Sequence, residues 1–336
     1  MSYFDESNTT TSLGSYPDTF LLYDIYALHQ LYGANTAFHS GDSTYGFNSN
    51  LGGAYDFTTN TDPLLCIWDG SGTDTLDLTG YTQDQRITLQ QGEFSDVAGY
   101  QGNLSIAIGA VIEQALGGSG SDDITGNDAG NFLHGYAGHD TLVAGEGNDT
   151  LAGGTGADTL YGNYGADVLA GGNDGDQLFG GSGYDTLFGN NGDDTLYGNF
   201  GSDVLSGGAD NDLLYGGTGH DNLRGGAGND TLYGNTGFDR LEGGSGDDLL
   251  RGGTYEDRFV FDTGHGNDEI SDFTVGIDRL QLSSALVGGL TSAAEVLDTY
   301  ATDLGDMVRF QFSSGEIITL SNVASLTGLE GDIDIF

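Results

Sequence analysis

The chain has 336 residues, of which 51 are acidic and seven are arginine, with no lysine, for a formal net charge of −44. Such an acidic chain lacks the basic footprint that nucleic acid requires, and it is repelled by anionic membrane surfaces. Cys66 is the only cysteine, so no disulfide forms within the chain; no apolar run spans a bilayer, and the polar start Met1-Ser2-Tyr3-Phe4-Asp5-Glu6 is not expected to be a signal peptide.

Residues 1–37 read as a polar loop followed by one helix. Pro17-Asp18 opens it, Leu21, Leu22, Ile25, Leu28 and Leu31/Tyr32 recur at helical spacing, and Gly33-Ala34-Asn35 ends it. Residues 38–116 read as strands, among them Ile67-Trp68, Leu76-Asp77-Leu78, Arg86-Ile87-Thr88-Leu89 and Ser105-Ile106-Ala107-Ile108, with an acidic loop at Asp69-Gly70-Ser71-Gly72-Thr73-Asp74. Residues 117–260 repeat one nine-residue phrase, Gly-Gly-x-Gly-x-Asp-x-Leu-x, sixteen times in unbroken register. Gly153-Gly154-Thr155-Gly156-Ala157-Asp158-Thr159-Leu160-Tyr161 is a clean copy. Residues 261–336 lose the glycines and read as a β cap, the end piece that a solenoid needs. Their strands are Arg279-Leu280-Gln281-Leu282, Val308-Arg309-Phe310-Gln311-Phe312 and Ile317-Ile318-Thr319-Leu320, followed by the acid–apolar tail Asp332-Ile333-Asp334-Ile335-Phe336.

Within the repeat, the sixth position is Asp122, Asp140, Asp149, Asp158, Asp167, Asp176, Asp185, Asp194, Asp203, Asp212, Asp221, Asp230, Asp239, Asp248 and Asp257, with Asn131 the one exception. The eighth position runs from Ile124 through fourteen leucines to Phe259. A disordered linker has no reason to hold both positions in register. Glycine and asparagine at the early positions accept positive φ and allow tight turns. The x-Leu-x half is a very short strand with one inward side chain. Two copies then make one turn of a flattened coil, with inward leucines stacked and turns roughly 4.8 Å apart. Loops on one edge therefore stack, and their sixth-position aspartates line up in a row. A hard cation between neighbouring loops meets carboxylate and carbonyl oxygens, the set that Ca²⁺ prefers and that suits Mg²⁺ less well. Each turn buries few leucines while ordering many glycines, and its stacked carboxylates repel. The expected behaviour is folding on calcium.

The nonapeptide resembles the calcium-binding repeat of RTX parallel β-helices. The chain as a whole resembles the C-terminal part of serralysin-type (peptidase family M10) secreted metalloproteases. The resemblance is carried by Met1-Ser2-Tyr3-Phe4, similar to that family's Met-turn, and by Leu21-Leu22-Tyr23-Asp24-Ile25 with Leu31-Tyr32-Gly33-Ala34-Asn35, similar to the last helix of its catalytic domain. It continues through Gly41-Asp42-Ser43-Thr44-Tyr45-Gly46-Phe47-Asn48, Trp68-Asp69, Phe94-Ser95-Asp96-Val97, Gly102-Asn103-Leu104-Ser105 and Ile112-Glu113, and on to Ile270-Ser271-Asp272-Phe273 and Gly276-Ile277-Asp278-Arg279-Leu280. The fold class this implies is all-β: a calcium-binding parallel β-roll flanked by β-sandwich strands, with one N-terminal helix. The division implied is 1–37 as a catalytic-domain remnant, 38–116 as a β segment leading into the roll, 117–260 as the roll, and 261–336 as the cap with a secretion signal.

Further ligands follow from the resemblance. His39, Gly41 and Ser43 would face Asp69, Ser71, Gly72 and Asp74 in one calcium site, and Glu113 with Gly118, Gly120 and Asp122 would begin the repeat sites. The expected partners are several calcium ions and, through the tail, the type I secretion apparatus; the expected location is extracellular, and the expected state a monomer. Zn²⁺ is expected only in a full-length parent, because none of the six histidines lies in a His-Glu-x-x-His arrangement. Met1 and Tyr3 would be the remains of that zinc environment, with Met1 an internal Met-turn methionine, and the chain alone would be inactive. The alternative is an autonomous calcium-dependent extracellular structural or adhesive protein.

Overall fold

The computed structural model describes residues 22–32 and 37–336. Leu22–Tyr32 forms the expected helix; its proposed start at Pro17-Asp18 and its end at Gly33-Ala34-Asn35 lie outside the described residues. Ile25 is buried while Leu31 is exposed, and the His29 ring meets Trp68 edge-on with centroids 4.0 Å apart.

From Thr44 onward the chain winds as a parallel β-roll. Two thirteen-stranded sheets face each other, and the chain alternates between them. Thr159–Tyr164 pairs in parallel with Thr141–Glu146 before it and Gln177–Gly183 after it. On the other sheet Thr150–Thr155 pairs with Phe132–Ala137 and Val168–Asn173. Partner residues are eighteen apart, so two copies make one turn and sixteen copies make eight.

The strands are longer than the expected x-Leu-x. Thr159–Tyr164 has six residues and runs into the third position of the next copy, with the pairing skipping position one. Small residues there allow neighbouring backbones to approach closely. Most non-glycine residues at positions two and four also take the left-handed backbone, as at Asn163 (φ 73°), Asp210 (φ 75°) and Tyr255 (φ 82°), with Asn127 and Ala129 the exceptions.

The repeat leucines from Leu133 to Leu250 are fully buried, and Ile124 and Phe259 extend the same row. Packing outside the roll was not legible in the repeat. Tyr161, Phe179, Tyr197, Tyr215 and Tyr233 stack along the outer face of one sheet, with centroids 4.8–5.0 Å apart and planes within 8°. Such pairs contribute about 0.5–1.5 kcal/mol each beyond burial.

Gly201 shows why glycine prevails at position four. Its φ is +136°, and a Cβ there would overlap the Gly183 carbonyl oxygen one turn below. Gly201→Ala is expected to destabilise the roll by at least about 1–3 kcal/mol. Gly264→Ala, at φ +90° with open space around it, carries the backbone strain without the collision and is expected to cost less. Thermal melts of the two variants test this; equal midpoints would refute it.

The flanks continue the roll's own two layers. Thr44–Gly46, Thr75–Asp77 and Gln114–Leu116 extend one sheet, and Arg86–Thr88 the other. A small third sheet of Leu65–Ile67, Phe94–Ser95 and Leu104–Ile106 sits beside them. At the far end Asn267–Ile270 stacks on Leu249–Thr254 and is followed by the antiparallel pair Val308–Gln311 and Ile317–Leu320. The tail strand Ile333–Ile335 pairs with Arg279–Leu282. A second helix, Ala293–Tyr300, was not expected. Its signal is a capping box, in which Ser292 Oγ accepts from the Glu295 N–H.

Candidate metal centre

The coil turns a sequence period into two columns of carboxylates. In one, Asp122, Asp140, Asp158, Asp176, Asp194, Asp212, Asp230 and Asp248 lie on successive turns. Each backbone N–H donates to Oδ1 of the next aspartate, as from Asp158 to Asp176 at 2.8 Å and from Asp176 to Asp194 at 2.7 Å. The other column holds Asp149, Asp167, Asp185, Asp203, Asp221, Asp239 and Asp257, linked in the same way. All fifteen carboxylates are buried.

In fourteen of the fifteen, one carboxylate oxygen is therefore used and the other is not. Oδ2 of all fourteen from Asp140 to Asp257 is buried with no hydrogen-bond partner. The surroundings of that oxygen are further oxygens. A Cβ placed on Gly153 would collide with Asp158 Oδ2 and lie 2.7 Å from the Gly171 carbonyl oxygen. Gly162, Gly189 and Gly198 show the same pairing of a carboxylate oxygen with a carbonyl one turn on. Only glycine leaves this space open. Burial raises the carboxyl pKa values; the backbone N–H bonds offset part of this, and in most of the group neighbouring aspartates add to it. Asp212 and Asp257 are pushed up to about 8, and Asp140, Asp176, Asp185 and Asp248 to about 7.

Orphaned anionic oxygens converging with carbonyls fit a hard divalent cation, because each unpaired buried carboxylate is otherwise costly. No group of three or more His, Cys, Asp or Glu side chains forms a metal cluster among the described residues. A cation in the columns would thus be held by carboxylate together with backbone oxygens.

The residues expected to form the N-terminal site are largely drawn together. The Ser43 N–H donates to Asp74 Oδ1 at 2.7 Å, and the Asp74 N–H to Glu113 Oε2 at 2.8 Å. These three extend the second column downward, and Asp74 Oδ2 is also orphaned. Gly72 packs against the Gly41 carbonyl, 2.7 Å from a Cβ at that position. Asp69 is engaged differently: its Oδ2 accepts from Tyr45 Oη at 2.6 Å and its Oδ1 from the Ser71 N–H at 3.1 Å. The His39 ring reaches Tyr45 Oη at 3.0 Å. At the first repeat, Asp122 Oδ2 accepts from the Gly118 N–H at 2.6 Å, and the Gly118 carbonyl accepts from Ala137. The Gly120 carbonyl closes on Gly138 one turn on. Met1 and Tyr3 lie outside the described residues.

The column ends reveal residues that the nonapeptide did not mark. Asp268 accepts from the Asp248 N–H and Asp278 from the Asp257 N–H, so each column gains one member. Their second oxygens are satisfied internally, Asp268 by His265 at 2.5 Å and Asp278 by the Thr274 N–H at 2.7 Å. Asn131 keeps its place in the second column, and its amide donates to the Glu113 carbonyl at 3.2 Å. The signal was present: Gly266-Asn267-Asp268-Glu269-Ile270 has the order of half a repeat, displaced by two residues.

A ladder of buried carboxylates on a parallel β-roll defines a class of repeat module built around stacked acidic loops. The family described as peptidase M10 serralysin C terminal matches residues 34–323, and the chain belongs to it. Metallopeptidase AprA of Pseudomonas marginalis is 49% identical over 140 residues, which are 40% of this chain and 29% of that protein. Serralysins of Photorhabdus luminescens and Proteus mirabilis are each 50% identical over 138 residues, 40% of this chain and 28% of theirs. The chain thus spans under a third of the length of these relatives. A solved structure of the extracellular lipase LipA from Serratia marcescens overlaps 66% of this chain and 39% of its own, at 21% identity and a TM-score of 0.28. Among the described residues no helix is long and apolar enough to cross a membrane.

Proposed function

We infer that this chain is the calcium-binding module of a secreted serralysin-like metalloprotease. It is exported by a type I route through its C-terminal tail and folds on Ca²⁺ outside the cell. The observation that carries the reading is the run of fourteen buried, unpartnered Oδ2 atoms. Residues 117–260 form the calcium-dependent roll, 38–116 and 261–336 close its ends, and 1–37 lead in from the catalytic half, where zinc would be held. Calcium would be held by the column aspartates and the glycine carbonyls beside them; when bound, it neutralises the stacked carboxylates. Asp74, Ser43 and Glu113 would hold a further ion at the N-terminal end, with Gly41, Gly72, Asp69, Ser71 and His39 shaping that site.

Asp194→Asn with Asp212→Asn keeps shape and removes two neighbouring charges from one column. At a calcium concentration about a hundred times Kd, each site lost removes about 2.7 kcal/mol of stability. Equilibrium dialysis and melting in calcium are expected to show fewer bound ions and a lower midpoint. An unchanged ion count with an unchanged midpoint would overturn the assignment.

A further inference from the structure

Four of the chain's seven arginines stand on one face of the roll near its C-terminal end. Arg240 lies in register beside Arg258, and Arg258 beside Arg279. Arg224 lies one strand further back, in register with Glu242. On the earlier turns of the same sheet, the place of Arg240 and Arg258 is taken by Thr150, Val168, Thr186 and Val204. The fold therefore asks for no arginine there. β-Branched residues suit a strand better, and like charges directly opposite on neighbouring strands are destabilising.

The neutralisation within the chain is incomplete. Glu242 pairs with Arg240 at 2.8 Å and Arg224 at 3.7 Å. Glu256 is shared between Arg258 at 3.8 Å and Arg279 at 4.0 Å. The four arginines thus share two ion-pair partners, with Asp334 in register with Gln281 on the next strand, on a chain whose formal charge is −44. The guanidinium side chains remain accessible, 63% for Arg224 and 57% for Arg258. Beside them a shallow cavity of about 490 Å³ is lined by Arg240, Arg258, Glu256, Gln281, His220 and Phe238, together with the column carboxylate Asp239. Phe238 and Tyr255 are 53% and 63% exposed, with ring centroids 5.6 Å apart.

We propose that this face is a binding site for a segment of acidic, uronate-bearing polysaccharide lying along the roll axis. Neighbouring rungs are about 4.8 Å apart, which presents a cation to each of several successive carboxylates on a linear chain. The guanidinium fork matches a carboxylate in a bidentate way. The exposed rings of Phe238 and Tyr255 offer an apolar platform for the C–H face of a pyranose, and the Gln281 amide can meet its hydroxyls. A duplex nucleic acid requires a broad basic surface, and here the acidic remainder of the chain surrounds the row. Binding is confined to the row and weakens with salt.

The test is calorimetric titration of the full chain in calcium with tetragalacturonate, cellotetraose and tetraglutamate, at low and at physiological salt. Saturable binding of tetragalacturonate alone is expected, with loss of about tenfold or more in affinity in Arg240→Gln/Arg258→Gln, since charge-assisted pairs are the stronger hydrogen bonds. Arg258→Gln serves if the double variant does not fold by circular dichroism. Arg309→Gln, on the antiparallel cap strand, is expected to bind as the parent does. Equal binding of cellotetraose, binding unaffected by the arginine variants, or no binding at low salt would each overturn the proposal. Tighter binding of tetraglutamate would overturn it in favour of an acidic peptide. Self-association that disappears in the double variant, without uronate binding, would overturn it in favour of a second copy of the chain.

Discussion

In excess chelator at about pH 8, the chain is expected to show the circular dichroism of a largely unfolded polypeptide, and added Ca²⁺ is expected to restore the β signal cooperatively. The reason is the second oxygen on the column aspartates from Asp140 to Asp257. Fourteen such oxygens are buried without a partner, and an unpaired buried charge is strongly unfavourable. The leucine row opposes this, since each buried side chain contributes about 1.5–3 kcal/mol. It must also offset the ordering of glycine, which loses more conformational freedom than any other residue. Calcium binding to the folded form alone adds about 2.7 kcal/mol per site at a hundredfold excess over Kd, and the sites add along the roll. Because each turn contacts mainly its neighbours, folding is expected to propagate along the axis. A chelated sample with full β structure and an unshifted melting midpoint would refute the calcium requirement.

Acidification of the metal-free chain is expected to act in the same direction as calcium. Burial raises the column carboxyls in the folded roll, to about 8 at Asp212 and Asp257 and about 7 at Asp140, Asp176, Asp185 and Asp248. In the unfolded chain an aspartate titrates near about 3.9. Between these values the folded form binds more protons than the unfolded form, so stability falls as pH rises. The contribution is complete below about pH 4 and is lost as pH rises through the folded values of about 6 to 8. In chelator the β signal is therefore expected to be greater at about pH 5 than at about pH 8. In calcium the dependence reverses over the same range, because protons compete with the ion for the same oxygens. Chemical denaturation at several pH values, with and without chelator, reads both slopes. A metal-free roll that gains stability as pH rises would contradict the burial of these carboxylates.

Much of the candidate site was legible because the repeat never slips. An Asp at the sixth position of fifteen copies and a Leu at the eighth of fourteen leave a two-copy turn as the arrangement that stacks both. Asp158 above Asp140 follows from that alone. The two final column members escaped because the spacing stretches to 20 residues from Asp248 to Asp268 and to 21 from Asp257 to Asp278. Asn131 was visible as an exception, but its amide contact with the Glu113 carbonyl depends on the turn below it. The helix at Ala293–Tyr300 had its Ser292–Glu295 signal, in a stretch where strands dominated the reading.

The sequence by itself determined the period, the inward row and the edge position of the aspartates. These depend on spacing, and spacing survives in one dimension. Only the tertiary structure decided which carboxylate oxygen is used and which is left over, because that depends on a backbone N–H one turn away. It also decided that the flanks extend the roll's own sheets, and that Arg240, Arg258 and Arg279 stand side by side. Residues this far apart in the chain become neighbours only when the coil closes, and their charges then act on one another at the strand spacing.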